Sequence, residues 1–263
     1  MINSDVHAIA PLGSTGEGAY LSDAEWDEVS AYSIKKVAKR VPTIVSVSDL
    51  TTAKAVRRAR YAEAHGADAV MVLPASYWKL SEAEILAHYA AIGDSIGVPI
   101  MLYNNPPRTS VNVLPPTLVR CMQGAENIVG IKDATGGFDR ACDLIARAPK
   151  EFGLYTGDDM TAVATIALGF HGDISVTANV APRLMHEMCV AARHGDMVKA
   201  REIHFKLLGL HRDLFCEANP IPVKWAVHQL GLMPNGIRLP LTTLSEASQP
   251  RVLAALRQAG LIA

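Results

Sequence analysis

A lysine ends the apolar run Ile128-Val-Gly-Ile131 at Lys132, and Asp133-Ala-Thr-Gly136 follows at once. A charged group is costly to bury among such neighbours. Burial would lower the pKa of the ammonium and leave the neutral amine that attacks a carbonyl carbon to form a Schiff base. The plainer alternative is a lysine whose stem is covered while its head reaches water. A second apolar run ends at Leu102-Tyr103 and continues as Asn104-Asn-Pro-Pro-Arg108-Thr109. A phenol in such a place can carry a proton, and the guanidinium of Arg108 can fork onto a carboxylate. A core tyrosine and a solvated arginine would read the same taken singly. The third candidate is Gly13-Ser14-Thr15-Gly16-Glu17. Glycines flanking two hydroxyl residues suit a tight turn whose backbone N–H groups and hydroxyls hold a carboxylate or phosphate. An ordinary turn with a helix cap is the competing reading. It is not a P-loop, because the Gly-Lys-Ser/Thr ending is missing.

What would bring these residues together is a succession of short apolar strands and longer helices. Strands are predicted over Val6–Leu12, Thr43–Val47, Ala69–Leu73, Val98–Tyr103, Ile128–Lys132, Gly153–Thr156 and Asp173–Val176. Most are apolar on both faces, as parallel strands covered by helices must be. Ser22-Asp-Ala-Glu25 and Ser81-Glu-Ala-Glu84 read as capping boxes that open helices. Gly66, Gly97 and Gly169 fall where helices should stop. From Asp196 onward the pattern is helical: Met197–Cys216, Val223–Leu230 and Ser245–Ala259. The reading is therefore an α/β chain with a barrel-like βα body over 1–195 and a helical C-terminal region over 196–263. In such bodies active sites collect at the C-terminal ends of the strands. Ser14, Tyr103 and Lys132 all fall at that end of different strands.

Composition narrows the alternatives. The chain has 263 residues, 25 Lys+Arg against 26 Asp+Glu, and 49% apolar residues. Disorder is excluded by the high hydrophobicity and low net charge. The near-zero charge argues against nucleic acid or an anionic membrane as the main partner. No apolar run is long enough for a transmembrane helix, and the start does not read as a signal peptide, so a cytoplasmic location is expected. Cys121, Cys142, Cys189 and Cys216 never approach a Cys-x-x-Cys spacing, and the nine histidines contain no zinc motif. No metal site is expected.

Read together, several segments resemble one family. Gly13-Ser-Thr-Gly-Glu17, Tyr103-Asn-x-Pro-x-Arg-Thr109, Gly130-Ile-Lys-Asp-Ala-Thr-Gly136, Gly157-Asp-Asp159 and Gly172-x-Ile-Ser-Val-Thr-Ala-Asn179 are similar to the dihydrodipicolinate synthase / N-acetylneuraminate lyase family. Asn219-Pro-Ile-Pro-Val-Lys-Trp225 and Gly236-Ile-Arg-Leu-Pro240 extend the likeness to the C-terminal region. The resemblance implies a (β/α)8 TIM barrel of class I aldolase type, acting on pyruvate or a related 2-oxo acid. It needs no cofactor beyond a covalent Lys132–pyruvate imine.

The resemblance also implies roles. Lys132 matches the Schiff-base lysine, Tyr103 the proton-relaying tyrosine and Ser14 the neighbouring hydroxyl. Thr15 matches the contact to the pyruvate carboxylate, while Gly157 and the backbone of Ile174 fall among the substrate contacts. A second tyrosine reaches across a dimer interface in synthase members, which implies a homo-oligomer, either dimer or tetramer. Tyr77 is its candidate here and Ser76 the competitor. Arg108 favours the synthase branch, where the second substrate is aspartate semialdehyde and the pathway leads to diaminopimelate and lysine. Ser110 departs from the pattern, which has a glycine after Arg-Thr. The alternatives are an aldolase for another 2-oxo acid or sugar acid, or a silent relative that only binds a ligand. Family members carry one further strand and helix, about thirty residues, ahead of the Gly13 turn. Without it seven strands are expected, with Val6–Leu12 and Asp173–Val176 as open edges.

Overall fold

The computed structural model describes residues 1–263. Its sheet is built from β1 (Ile44–Ser46), β2 (Ala69–Val72), β3 (Ile100–Asn104), β4 (Ile128–Asp133), β5 (Gly153–Thr156) and β6 (Gly172–Asp173). Each strand pairs in parallel with its sequence neighbours, in the order β1-β2-β3-β4-β5-β6. A parallel pair needs a crossover that covers the sheet. Helices α2 (Thr52–Ala64), α3 (Glu82–Gly93), α5 (Pro115–Gly124), α6 (Phe138–Arg147) and α7 (Ala162–Leu168) supply the crossovers. Helix α1 (Asp23–Val37) precedes β1, and the short α4 (Pro106–Thr109) follows β3. Both expected capping boxes are present, at the starts of α1 and α3, with the serine and glutamate bonded reciprocally.

The strand count is six rather than the expected seven, and the last strand is shorter than expected; hydrogen bonding explains both differences. The Val6–Leu12 segment touches the sheet through one parallel bridge, Ile9 to Thr43. Ile9 N–H donates to Pro42 O (2.9 Å), and Ile44 and Ser46 donate to Ile9 O and Pro11 O. Pro11 has no N–H to continue the ladder, and Leu12 then turns into the left-handed region at φ 62°. At the other end β6 stops at Asp173, although Ile174 N–H still reaches Thr156 O at 2.9 Å. The next donors, Val176 N–H and Thr177 N–H, are captured by the Asp159 carboxylate instead. β6 pairs only with β5, and the Val6–Leu12 segment makes only the one bridge to Thr43.

The C-terminal helices are α8 (Pro182–Arg193), α9 (Met197–Asp213), α10 (Ile221–Gln229) and α11 (Gln249–Gln258). Helix α10 starts two residues before its predicted Val223, with Pro222 in the first turn, where a missing N–H costs nothing. Apolar side chains gather into two large cores. One lies between β1–β5 and helices α1, α2, α3, α5 and α6 and includes Trp26, Ile100, Leu102 and Ile131. The other unites α7 with α8–α11 and includes Met188, Leu207, Leu210 and Leu256.

A third, small cluster of Met71, Met101 and Tyr103, with Ile44, Leu73, Tyr155 and Ile174 against it, fills the concave side of the sheet. Register partners share a face, and successive residues alternate. Tyr103, Lys132 and Tyr155 are register partners and face the concave side. Asn104, Asp133, Thr156 and Asp173 form the next row and face the helices.

Ile131 is fully buried in the larger sheet core. Ile131→Ala is expected to lower the unfolding free energy by about 2–5 kcal/mol, read as a drop in the urea midpoint at unchanged slope. A midpoint within error of the parent would place Ile131 outside the core.

Candidate functional site

The concave face brings Lys132, Tyr103 and Ser14 to one place. The Lys132 ammonium lies over the Tyr103 ring, with Nζ 4.4 Å from its centroid. The lysine side chain fits because Gly157 has none: a Cβ there would stand 2.5 Å from Lys132 Cε and 3.0 Å from Ala134 Cβ. Gly157 is also tied down, its N–H donating to Asp133 O at 2.8 Å. It therefore serves as space for the lysine, not as a special backbone conformation.

Tyr103 is buried, and its hydroxyl accepts a bond from Asn105 Nδ2 at 2.8 Å. Burial pushes its pKa up, but the Lys132 charge, the Asn105 bond, the nearby Ser14 hydroxyl and the Arg108 charge outweigh it. The phenol is held below its ordinary value. A phenol that releases its proton more readily beside an amine is suited to proton transfer.

The Gly13–Glu17 turn owes its shape to different residues than expected. Gly13 and Gly16 do not adopt left-handed backbone; Leu12 (φ 62°) and Glu17 (φ 56°) do. Gly18 is the glycine that space demands, since a Cβ there would collide with the Leu12 carbonyl. Strained non-glycine residues on both sides of Ser14 and Thr15 must be held by tertiary contacts. Two such contacts come from the C-terminal region. Asn219 Nδ2 donates to Thr15 Oγ1 at 3.0 Å, and Lys224 pairs with Glu17 at 2.5 Å. Asn219 also accepts, through its carbonyl, a bond from Arg108 Nη2 at 2.9 Å. Arg108 is otherwise exposed at the mouth of the site, in α4. The next residue, Ser110, ends α4 at φ 55°, a conformation that favours glycine.

The other residues named from the sequence are distributed unequally. Ile174 packs against the Tyr103 cluster. Tyr77 is 79% exposed, at φ 82°, with its ring against Trp78, and makes no hydrogen bond to Tyr103 or Ser14. It does not join the site within this chain. No group of three or more His, Cys, Asp or Glu side chains is arranged to hold a metal.

Sequence reasoning attached no chemistry to the layer behind the site. Asn104 is fully buried and bonds Asp133, Asn112 and Val113 N–H. Asp133 also takes Arg140 Nε at 2.7 Å and both donors of Thr135. Arg140 closes the circuit on Val113 O. This network braces the ends of β3 and β4 directly behind Tyr103 and Lys132. A polar residue immediately after Tyr103, and another after Lys132, was the available signal, because alternation sends each to the helix side.

Comparison with known proteins identifies the family of the chain. Residues 1–259 match the model of the family described as "Dihydrodipicolinate synthetase family". A curated protein of Dechloromonas aromatica (strain RCB), named 4-hydroxy-tetrahydrodipicolinate synthase, is 59% identical over 262 residues, which are 100% of this chain and 89% of that one. One of the same name from Aromatoleum aromaticum is 51% identical, covering 96% and 86%. Among solved structures, the chloride-inhibited dihydrodipicolinate synthase of Acinetobacter baumannii complexed with pyruvate superposes with a TM-score of 0.96. The two are 41% identical, and the match covers 99% of this chain and 89% of that one. The likeness makes the fold that of a TIM-barrel aldolase.

The chain has seven tyrosines. Ultraviolet titration should reveal one phenol ionising below the ordinary value of 10.0. That component should vanish in Tyr103→Phe and move to higher pH in Lys132→Met, which keeps the stem and removes the charge. Titration unaltered by Lys132→Met would mean that the two groups are not coupled.

Proposed function

Because the chain belongs to the dihydrodipicolinate synthetase family, we propose that it carries out the 4-hydroxy-tetrahydrodipicolinate synthase reaction, joining pyruvate to L-aspartate 4-semialdehyde on the way to diaminopimelate and lysine. The observation that carries this reading is the Lys132 ammonium set over the buried Tyr103 phenol in the space left by Gly157. The Lys132 amine attacks C2 of pyruvate, and loss of water leaves an imine. Loss of a C3 proton then gives an enamine, whose carbon adds to the aldehyde. Attack of the semialdehyde's own amine on C2 closes the ring and frees Lys132. The protonated imine is the electron sink, so the chemistry asks for no metal or organic cofactor.

In this reading Tyr103 moves the protons, passing them to and from Ser14. Thr15 and the backbone about Gly157 and Ile174 hold the pyruvate end. Arg108 stands at the mouth with donors to spare beyond its bond to Asn219, placed for the carboxylate of the aldehyde substrate. The exposed Tyr77 and Trp78 suit a contact with a second copy, through which Tyr77 would reach the partner's relay. The likeness of the chain to synthases and the absence of any helix able to cross a membrane agree with an enzyme acting on small soluble acids.

Pyruvate with borohydride should add the mass of a reduced pyruvyl group to the peptide containing Lys132, and Lys132→Ala should abolish it. Labelling that persists in Lys132→Ala would overturn the imine assignment.

Arg108→Ala is expected to raise KM for aspartate semialdehyde by about 10–100-fold, the scale of a charge-assisted bond, while pyruvate labelling survives. Equal loss of both would give Arg108 a purely structural role.

A further inference from the structure

Behind the pyruvate end of the site, two aspartates meet out of reach of water. Asp159 follows β5, and Asp173 closes β6. Asp159 Oδ2 accepts three bonds, from Val176 N–H (3.2 Å), Thr177 N–H (2.8 Å) and Thr177 Oγ1 (2.9 Å). Its other oxygen and both oxygens of Asp173 are shut off from solvent, and no donor in the protein serves them. Asp159 reaches the turn that directly follows Asp173, through Val176 and Thr177, and each of the two carboxyl groups acts on the acidity of the other. Two buried carboxylates facing one another with no donor between them cannot both be charged. A single proton satisfies the geometry, giving one group a donor and the other an acceptor.

The surroundings decide which group holds it. Burial works against charge on Asp159, but the bond from Asp173 and the Thr177 N–H hold its carboxyl below the ordinary value. Asp173 has no such donors. Burial, then the Asp159 charge and the bond to Asp159, push it well above its ordinary range; Lys132 opposes this and Asp158 adds to it. The other titratable groups facing the pair leave it without a further proton donor. The Cys189 thiol on α8 is pushed up by burial. His211 on α9 is pushed down to about 4 by burial, so it is neutral. Since Thr177 Oγ1 gives its proton to Asp159, the 3.0 Å contact from His211 Nδ1 is an N–H donor, and its Nε2 is left bare, without a partner.

We propose that Asp173 is a positioning residue kept as a neutral carboxylic acid, whose proton, shared with Asp159, fixes the turn from Ile174 to Thr177 against the pyruvate site. Asp159 clamps that turn at Val176 and Thr177, and Asp173 is bonded in sequence to Ile174, which packs on the Tyr103 cluster. Locking the two carboxyl groups together locks both ends of the turn. The link to pyruvate rests on the imine reading above; the shared proton does not.

Asp173→Asn supplies a permanent N–H donor of the same shape, whereas Asp173→Leu supplies none. An acid whose folded pKa lies above its ordinary 3.8 contributes stability that is complete below that value and lost as pH rises through the folded pKa. Asparagine has nothing to lose. The melting temperature of Asp173→Asn minus that of the parent should therefore grow steadily as pH rises from near 3.8 through neutrality. A difference flat with pH would overturn the protonated pair. In the pyruvate arm, Asp173→Leu should raise the pyruvate concentration needed for half-maximal borohydride labelling by about tenfold, the cost of an unserved buried acceptor. Asp173→Asn should restore it. Asn and Leu variants that label alike would refute the positioning role. Absence of pyruvate labelling in the parent protein would sink the imine reading instead, and the melting comparison would still decide the proton.

Discussion

Everything at the site depends on the pleat of four parallel strands at their C-terminal ends. Because Tyr103, Lys132 and Tyr155 are in register, their side chains share the concave face. Because the next residue of each strand points the other way, Asn104, Asp133, Thr156 and Asp173 share the helix face. A slip of one residue in a single strand would exchange the reactive row for the supporting row. The register is in turn held by the apolar residues one step earlier. Leu102 and Ile131 are locked in the sheet–helix core, so Tyr103 and Lys132 have no choice of side.

The supporting row works as an anchor for the reactive one. Asp133 is buried with Arg140 at 2.7 Å and is bonded to Asn104 and Thr135 as well. Removing one partner of such a pair strands a charge and costs about 3–5 kcal/mol, so the circuit resists rearrangement behind Lys132. The Asp159–Asp173 pair repeats the design one strand further along, with a proton in place of the arginine. The strand ends are thus held by polar groups that satisfy one another away from water.

The helical C-terminal region belongs to the site as much as the barrel does. Asn219 touches both Thr15 and Arg108, and Lys224 holds Glu17. The turn carrying Ser14 and Thr15 has non-glycine residues in the left-handed region at both ends, a conformation that local preference does not supply. The loop before α10 and the first turns of that helix keep it in shape. The core of α7 to α11 has its own large apolar cluster, which gives this clamp a rigid base.

Sequence alone determined the parallel βα architecture, the helical ending and the capping boxes, because apolar periodicity and capping are local properties; it placed Lys132, Tyr103 and Ser14 at strand ends, while their roles and those of Thr15 and Arg108 came from the resemblance to a family. It overstated the strands at the two edges. At one, Pro11 withholds a donor, which was legible. At the other, a distant carboxylate takes the donors of Val176 and Thr177, which was not. Only the tertiary structure decided that Gly157 is a space for Lys132 Cε and that Gly18, not Gly13 or Gly16, is sterically required in its turn. The same holds for Asn219, which bridges two contacts from 204 residues away along the chain, and for Asp159 and Asp173, which share an interior. Periodicity reports which face a residue occupies. It carries no information about which residue of another element arrives at that face, and close approach, proton sharing and bridging depend on that arrival.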